Sequence, residues 1–314
     1  MNKLLIISVI IGILLITSLI SYSTLEKTPK EGIEKIKIDS AKVISSDIVP
    51  LRIGTISDSP TKLIFRFQPT ATYLAKHLSD DQTKYEGKVV IAESIENMIS
   101  LLDNNEIDLF VESPFTTISI MEKTDIKPIL VRWKQGSSSY HTVFLSTTDS
   151  NITSLQDETI KTWVFESRES TSGYLLPLSH LYQNNVLNEH IDKTFKFVFS
   201  GEDVNTGVWL LEGKGDVGAL SNLDFNDLPD SIKTDLTIIG ETIEVSRHVV
   251  STNSKLDSTI SDKINKIFLN MKNDPEGLKI MLDFKNTTNY SEYDESEILV
   301  IKKMLDYINV RISS

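Results

Sequence analysis

The sequence of 314 residues contains no cysteine. This absence excludes disulfides, thiolate zinc sites, a cysteine nucleophile and a lipid anchor built on cysteine. No basic stripe is present, and the net charge of −12 argues against a nucleic-acid partner. The motifs G-x-S-x-G and H-E-x-x-H and a phosphate-binding glycine-rich loop are also missing. We therefore expect a protein that is not an enzyme and uses no cofactor.

Histidine is scarce, and its spacing is uninformative. The five histidines form neither an H-x-x-x-H nor an H-x-H pair, which are the spacings expected of metal ligands on one helix or strand. They are His77, His141, His180, His190 and His248. We therefore predict no metal site.

The first residues form the most biased segment of the chain. Residues 4–20 are seventeen consecutive uncharged and mostly apolar residues, longer than a usual signal core and close to the shortest spanning helix. Because no A-x-A cleavage pattern follows, residues 1–21 are predicted to be a signal anchor, with a cleaved signal peptide as the alternative. Residues 22–50 are polar and lysine-rich and are predicted to be a tether. The rest of the chain would then lie outside the cytoplasm, tethered to the outer face of the cell membrane, or exported if the segment is cleaved.

From residue 51 onward, short β-branched runs alternate with helical stretches, which is typical of βαβ units on a parallel sheet. A turn-rich break, DSNITSLQDET, separates a first set of such units from a second. We predict an α/β fold of two lobes, each a mostly parallel sheet flanked by helices. Lobe 1 is predicted to comprise residues 51–145 and 246–314, and lobe 2 residues 146–245.

Small polar residues follow several predicted strands, where ligands bind in open α/β sheets. The most concentrated group is Ser170-Thr171-Ser172-Gly173, directly before the apolar helical run YLLPLSHL. A helix N-terminus offers unpaired N–H groups and a partial positive charge, so this stretch predicts an anion site. Ordinary helix capping is the alternative. The other candidates at strand ends are Ser59, Ser113 and Asn222.

Four stretches occur in the order and spacing of a known family. They are LRIGTISDSPTKLIFRFQPTATYLAKHL, ESPFTTISIMEK, ESRESTSGYLLPLSHL and FSGEDVNTGVWLLEGKGDVGALSN. From residue 51 to its end, the chain resembles the phosphonate-type substrate-binding proteins of ABC transporters, which bind phosphate, phosphite or phosphonate. The resemblance implies a two-lobed type II periplasmic-binding-protein fold. It also implies that Ser170, Thr171, Ser172 and Gly173 hold the oxyanion.

One position departs from the family pattern. Relatives that bind phosphonates read Ser-Gly-x-His-Asp after the next strand, whereas this chain reads Ser200-Gly201-Glu202-Asp203. Asp203 thus stands in the place of the histidine, where a carboxylate repels a dianion. Three interpretations are open: Asp203 accepts a proton from a P–OH group, it binds an amine of a zwitterionic ligand, or it caps the helix with Glu202.

Two further site candidates come from their positions. Tyr140 precedes a predicted strand, so it either contacts the ligand or packs between the lobes. Asn222 follows the stretch DVGALS, where relatives often carry an acidic or amide group near the variable end of the ligand.

The resemblance implies an extracytoplasmic solute-binding protein of an ABC importer. A small oxyanion would bind between the lobes by hinge closure, with crossover segments predicted near 142–150 and 240–250. The partners would be the permease and ATPase subunits and the membrane, and the protein would be a monomer. The alternative is a membrane-tethered sensing ectodomain of the same fold, acting through a separate signalling partner.

Overall fold

The computed structural model describes residues 48–57, 60–188 and 194–312. The predicted hydrophobic helix, the tether up to residue 47 and Ser59 lie outside these ranges. Within them, no helix has both the length and the apolar character needed to cross a bilayer.

The described residues contain strands that form two main sheets and one short ribbon. In chain order they are β1 (Ile48–Ile56), β2 (Lys84–Ala92), β3 (Leu109–Glu112), β4 (Ile126–Lys134), β5 (Ser139–Tyr140), β6 (Thr142–Thr147), β7 (Thr162–Phe165), β8 (Lys196–Phe199), β9 (Val217–Ser221), β10 (Leu236–Glu241), β11 (Val245–Ser246), β12 (Val249–Asn253) and β13 (Thr287–Glu292).

Helices cover the sheets. In chain order they are α1 (Pro60–Leu78), α2 (Ile95–Asp103), α3 (Pro114–Met121), a π-helical turn (Thr171–Leu175) that leads into α4 (Leu176–Gln183), α5 (Asp203–Leu211), α6 (Asn222–Asp227), α7 (Asp230–Lys233), α8 (Ser258–Asn270), a 3₁₀ turn (Met271–Asn273), α9 (Pro275–Asp283) and α10 (Ser296–Ile312).

Sheet 1 has the strand order β13-β4-β12-β3-β1-β2, and sheet 2 has the order β10-β6-β9-β7-β8. In sheet 1, β1 pairs in parallel with β2 and β3, whereas β12 is antiparallel to both β3 and β4. In sheet 2, β7 pairs in parallel with β8 and β9, whereas β6 is antiparallel to β9 and β10. The sheets are therefore mixed.

The two-lobed α/β architecture is confirmed, but mostly parallel pairing holds only within β1–β3 and β7–β9. For β6 and β12 the physical reason lies in the crossovers. Strands β6 and β12 each begin where the chain arrives from the other sheet. They therefore start at the edge where their neighbours end, and they run in the opposite direction. The lobe boundaries given above remain a prediction.

The chain crosses between the sheets twice through a short antiparallel ribbon. Strands β5 and β11 pair there, with Val245 opposite Tyr140 and Ser246 opposite Ser139. The crossing segments span 135–141 and 242–248, so the first lies earlier in the chain than predicted. The difference arises because β6, which begins at Thr142, already belongs to sheet 2.

One apolar cluster joins elements that flank both sheets. Helix α10 packs against α3 and α4, and its Ile301 and Leu305 are buried in the same cluster as Phe115 of α3 and Trp163 of β7. Burying one large aliphatic side chain stabilises a fold by about 1.5–3 kcal/mol. This cluster therefore supports the helical turn that follows β7, which begins the candidate site.

Candidate functional site

The candidate site begins at the turn that follows β7. Ser170 is the N-cap residue, and its Oγ accepts a hydrogen bond from the Gly173 N–H at 2.9 Å. Thr142 Oγ1 of β6 donates to the Ser172 carbonyl at 2.7 Å, which fixes the turn to the edge of sheet 2. The N–H groups of Thr171 and Ser172 begin the helix and so have no intrahelical acceptor. Ser170 thus caps the helix, while two N–H groups remain to bind an anion.

Gly173 is required by packing. A Cβ atom at this position would lie 2.5 Å from Glu166 Cβ and 2.8 Å from Glu166 Oε2, distances that side chains do not tolerate. The missing side chain lets the turn lie against Glu166 at the end of β7.

Thr171 carries the most informative polar atom of the turn. The residue is 4% exposed, and its buried Oγ1 has no hydrogen-bond partner of good geometry among the described residues. Burial raises the pKa of the neighbouring Tyr140, although the Arg247 charge and the Thr171 hydroxyl oppose that rise. Tyr140 therefore remains a neutral phenol. Since buried polar atoms are nearly always paired, Thr171 Oγ1 marks a place where a ligand would complete the bonding.

Asp203 is the first residue of α5, and it is half-buried. Neither it nor the N-cap residue Glu202 makes a capping hydrogen bond, and Asp203 Oδ1 is buried without a partner among the described residues. Burial raises the pKa of Asp203 to about 8, and the charges of Glu166 and Asp224 add to the rise. At neutral pH the carboxyl is protonated and can donate a hydrogen bond.

The two neighbouring carboxyls respond differently to burial. Burial raises the pKa of Glu166, although the Ser170 hydroxyl opposes the rise. Burial would also raise the pKa of Asp224, but hydrogen bonds from Lys134 and Ser221 lower it below its usual range. Lys134 Nζ lies 2.8 Å from Asp224 Oδ1, and Ser221 Oγ donates to the other carboxylate oxygen. Asp224 therefore remains charged, while Asp203 becomes neutral.

Gly201 holds α5 beside the turn. Its φ of 82° lies in the left-handed region that favours glycine, and its N–H donates to the Glu166 carbonyl at 2.9 Å. Ser200 Oγ and Thr206 Oγ1 lie 2.7 Å apart and tie the loop to the body of α5. These bonds bring Asp203 to the same end of sheet 2 as Glu166.

The matching edge of sheet 1 carries Glu112 and Ser113. Ser113 is the N-cap residue of α3, and its Oγ accepts from Thr116 N at 3.3 Å and donates to Thr116 Oγ1 at 2.9 Å. Glu112 Oε1 accepts from Thr55 Oγ1 at 2.8 Å and from Ile56 N at 2.6 Å. Burial nevertheless raises the pKa of Glu112 to about 7. Ser113 is thus engaged within its own helix.

Asn222 connects two strands of sheet 2. Its Oδ1 accepts from His141 N at 3.2 Å, and its own N–H donates to the His141 carbonyl at 2.9 Å. The side-chain oxygen is therefore occupied by the backbone at the start of β6. The amide nitrogen of Asn222 is available to a ligand.

Sequence reasoning missed the charged residues of this region. The sequence interpretation named no lysine or arginine, yet Lys134 and Arg247 both act on the Asp224 carboxylate. Arg132 lies near Arg247, and burial together with the Arg247 charge lowers the pKa of Arg132. A signal was present for one of them, because Arg132 interrupts the apolar run ILVRW. The acids missed, Glu112, Glu166 and Asp224, each lie at or just after the end of a strand.

Three potential metal ligands come together away from this site. Single ligand atoms of His77, Asp274 and Glu276 lie within 4.8 Å of one another. Asp274 is occupied as the N-cap of α9, and Glu276 accepts from Lys76 Nζ at 2.5 Å. Spacing could not indicate this group, because His77 is remote in sequence from the two acids.

The comparisons identify the fold and the family. The family model "ABC transporter, phosphonate, periplasmic substrate-binding protein" matches residues 53–298. XAC2383 from Xanthomonas citri, bound to chloride, has a TM-score of 0.74 and 24% identity, over 84% of this chain and 99% of its own. PhnD1 from Prochlorococcus marinus, in complex with methylphosphonate, has a TM-score of 0.65 and 20% identity, over 83% and 98%. A binding-protein component of an ABC phosphonate transporter from Pseudomonas aeruginosa has a TM-score of 0.64 and 17% identity, over 82% and 86%.

Proposed function

The chain belongs to the periplasmic substrate-binding proteins of ABC phosphonate transporters, and on this premise we propose that it binds a small phosphorus oxyanion at the Ser170–Ser172 turn. Members of this family are binding proteins and not enzymes, as the sequence predicted. The protein works outside the cytoplasm and delivers its ligand to ABC permease and ATPase subunits. Tethering through residues 1–21 and a monomeric state are further parts of the proposal.

The observation that carries the proposal is the unpaired Thr171 Oγ1. A buried hydroxyl without a partner costs free energy that a bound oxyanion would recover. The N–H groups of Thr171 and Ser172 support the same proposal, because a helix N-terminus favours negative charge. PhnD1, which has the same fold, was solved with methylphosphonate. Methylphosphonate is therefore the first ligand to test.

When its carboxyl is protonated, Asp203 can donate a hydrogen bond to an oxyanion. Its Oδ1 has no partner among the described residues, and its raised pKa of about 8 keeps it neutral at pH 7. A neutral carboxyl donates to an anion oxygen as the histidine of relatives would, without repelling it. We prefer this role to the capping interpretation, which has no hydrogen bond in its favour, and we treat amine binding as an outcome to be tested.

Closure of the lobes would complete the site. The β5–β11 ribbon joins the sheets and carries Tyr140 toward Thr171. Helix α3, whose N-cap is Ser113, already packs against the π-helical turn on sheet 2. Bending at the crossing segments would separate these edges to admit the ligand and bring them together again around it. Asn222 remains a candidate for the variable end of the ligand, and Ser59 remains a candidate ligand contact. No feature of the described residues favours the sensing alternative.

A thermal-shift screen tests the proposal. The probes are phosphate, phosphite, methylphosphonate, 2-aminoethylphosphonate and sulfate, with neutral sugars as controls. A ligand present at 100 times its dissociation constant adds about 2.7 kcal/mol to stability. We expect shifts with phosphorus oxyanions that Thr171→Val abolishes while the ligand-free melting temperature changes little. A well-folded protein that responds to none of the anions would contradict the proposal.

Two substitutions at Asp203 separate its possible roles. Asp203→Asn keeps a donor, so it should retain methylphosphonate binding, whereas Asp203→Ala should weaken it. If the carboxylate instead binds an amine, both variants should lose affinity for 2-aminoethylphosphonate alone. Isothermal titration calorimetry distinguishes these outcomes.

A further inference from the structure

Two arginines lie buried beside the candidate site. Arg132 of β4 is 1% exposed, and Arg247, which follows β11, is 6% exposed. Neither forms an ion pair with a carboxylate of the described residues. A buried charge without a counterion is costly, so a compensating negative charge is expected.

Arg132 is held by neutral groups. Arg132 donates to Thr287 Oγ1 at 3.0 Å, and its other terminal nitrogen lies 3.4 Å from His248 Nδ1. Burial and the charges of both arginines lower the pKa of His248 well below its usual range. His248 therefore stays neutral and supplies no compensating charge. Thr287 contributes only a hydroxyl.

Arg247 has fewer partners than Arg132. The Arg247 guanidinium lies over the Tyr140 ring, 4.7 Å from its centroid. Its side chain makes no hydrogen bond to any residue of the described ranges, and its Nε is buried. Two acids lie in the region, but neither forms an ion pair with Arg247. Asp224 is bound by Lys134 and Ser221, although the Arg247 charge also favours its ionised form. Glu297 Oε1 accepts from the Ser246 N–H at 2.5 Å, and Glu297 Oε2 is buried without a partner among the described residues.

Arg247 and the turn at Thr171 share a neighbour. Tyr140 carries the guanidinium on its ring face and has the Thr171 hydroxyl beside its own. Thr171 Oγ1 has no partner of good geometry, although the Tyr140 hydroxyl lies beside it, and Arg247 Nε is buried without a partner among the described residues. Both groups are therefore neighbours of Tyr140. A planar guanidinium is suited to two parallel hydrogen bonds to an oxyanion.

We propose that Arg247, with Arg132 behind it, is a ligand-contacting residue that selects doubly charged oxyanions. This inference rests on the proposed function and deepens it. The helical turn supplies neutral donors, and Arg247 supplies the positive charge that a second negative charge on the ligand requires. Because Arg247 directly follows the β5–β11 ribbon, its position depends on the hinge, so closure and charge recognition are linked.

Calorimetry on three variants tests the proposal. Arg247→Met keeps an unbranched side chain on the Tyr140 ring and removes the charge. At pH 7, where Asp203 is protonated, we expect methylphosphonate affinity to fall about 10- to 100-fold, the range for a hydrogen bond to a charged group. Arg247→Lys keeps the charge without the planar fork and should fall in between. Lys279→Gln removes an exposed charge that pairs with Asp283 on α9 and should bind as the wild type does. Methanesulfonate, a singly charged anion of the same shape, should lose less affinity than methylphosphonate.

The melting temperature of the ligand-free protein is a second test. Replacing an uncompensated buried charge with an apolar side chain is neutral or stabilising, so the melting temperature of Arg247→Met should stay equal or rise. A marked fall in melting temperature would assign Arg247 a structural role and overturn the proposal. Unchanged methylphosphonate affinity in Arg247→Met would overturn this inference alone. A wild-type protein that binds none of the anions would overturn the proposed function, and this inference with it.

Discussion

The wild-type protein should become less stable as the pH rises, and Asp203→Asn should reduce that loss of stability. The ordinary pKa of this carboxyl is 3.8, and in the folded protein burial and the charges of Glu166 and Asp224 raise it to about 8. Because the folded pKa is the higher one, the favourable contribution is fully present below about pH 4 and is lost as the pH rises through about 8. The wild type should therefore be less stable at pH 9 than at pH 5.

The size of the effect follows from the two pKa values. A rise from 3.8 to about 8, at about 1.4 kcal/mol per pH unit, sets a ceiling of about 6 kcal/mol. The charge of Glu166 contributes to the raised pKa of Asp203, and burial raises the pKa of Glu166 as well. Asparagine at 203 therefore relieves only part of the cost. We expect a gain of about 2 kcal/mol at pH 9 and little change at pH 4.

Urea unfolding at pH 4, 5, 7 and 9 measures this difference. The free energy of unfolding should fall with pH in the wild type and fall less in Asp203→Asn. Asp149→Asn, which changes an exposed carboxylate in the turn after β6, should keep the wild-type slope. Parallel pH profiles for Asp203→Asn and the wild type would refute the reasoning.

Three other substitutions test single contacts. Gly173→Ala should lower the free energy of unfolding by about 1–3 kcal/mol, because its Cβ would lie 2.5 Å from Glu166 Cβ; unchanged stability in urea would show that the turn does not depend on this packing. Asp216→Ala should cost about 1–3 kcal/mol because Oδ2 accepts two backbone N–H bonds at the start of β7, and ligand affinity in calorimetry should be unchanged; lost affinity would give Asp216 a role in the site. Lys134→Met should raise the pKa of Asp224, because Lys134 contacts the Asp224 carboxylate at 2.8 Å. An NMR titration that finds the same pKa for Asp224 in the variant and the wild type would rule out that contact.

Local patterns in the sequence predicted much of the fold. The alternation of β-branched runs with helical stretches predicted the two-lobed α/β fold, and the Ser-Thr-Ser-Gly stretch correctly marked the start of a helix. The antiparallel pairing of β6 and β12 could not be read in this way. It depends on where the chain crosses between sheets, and no local run of residues records that direction.

The charge balance of the candidate site was also beyond local patterns. Lys134 and Asp224 are 90 residues apart, and Arg132 and Thr287 are 155 apart. Only the folded chain brings these pairs together, so spacing could suggest the polar turn but not its cations. The reason for Gly173 had the same limitation, because it depends on the Glu166 side chain at the end of the preceding strand.

A crystal structure of the protein grown with methylphosphonate tests the central claim most directly. The account predicts a phosphonate oxygen within hydrogen-bond distance of Thr171 Oγ1, and others at the N–H groups of Thr171 and Ser172. Asp203 should lie close enough to donate. Methylphosphonate bound elsewhere on the protein, with Thr171 still buried and unpaired, would contradict the account.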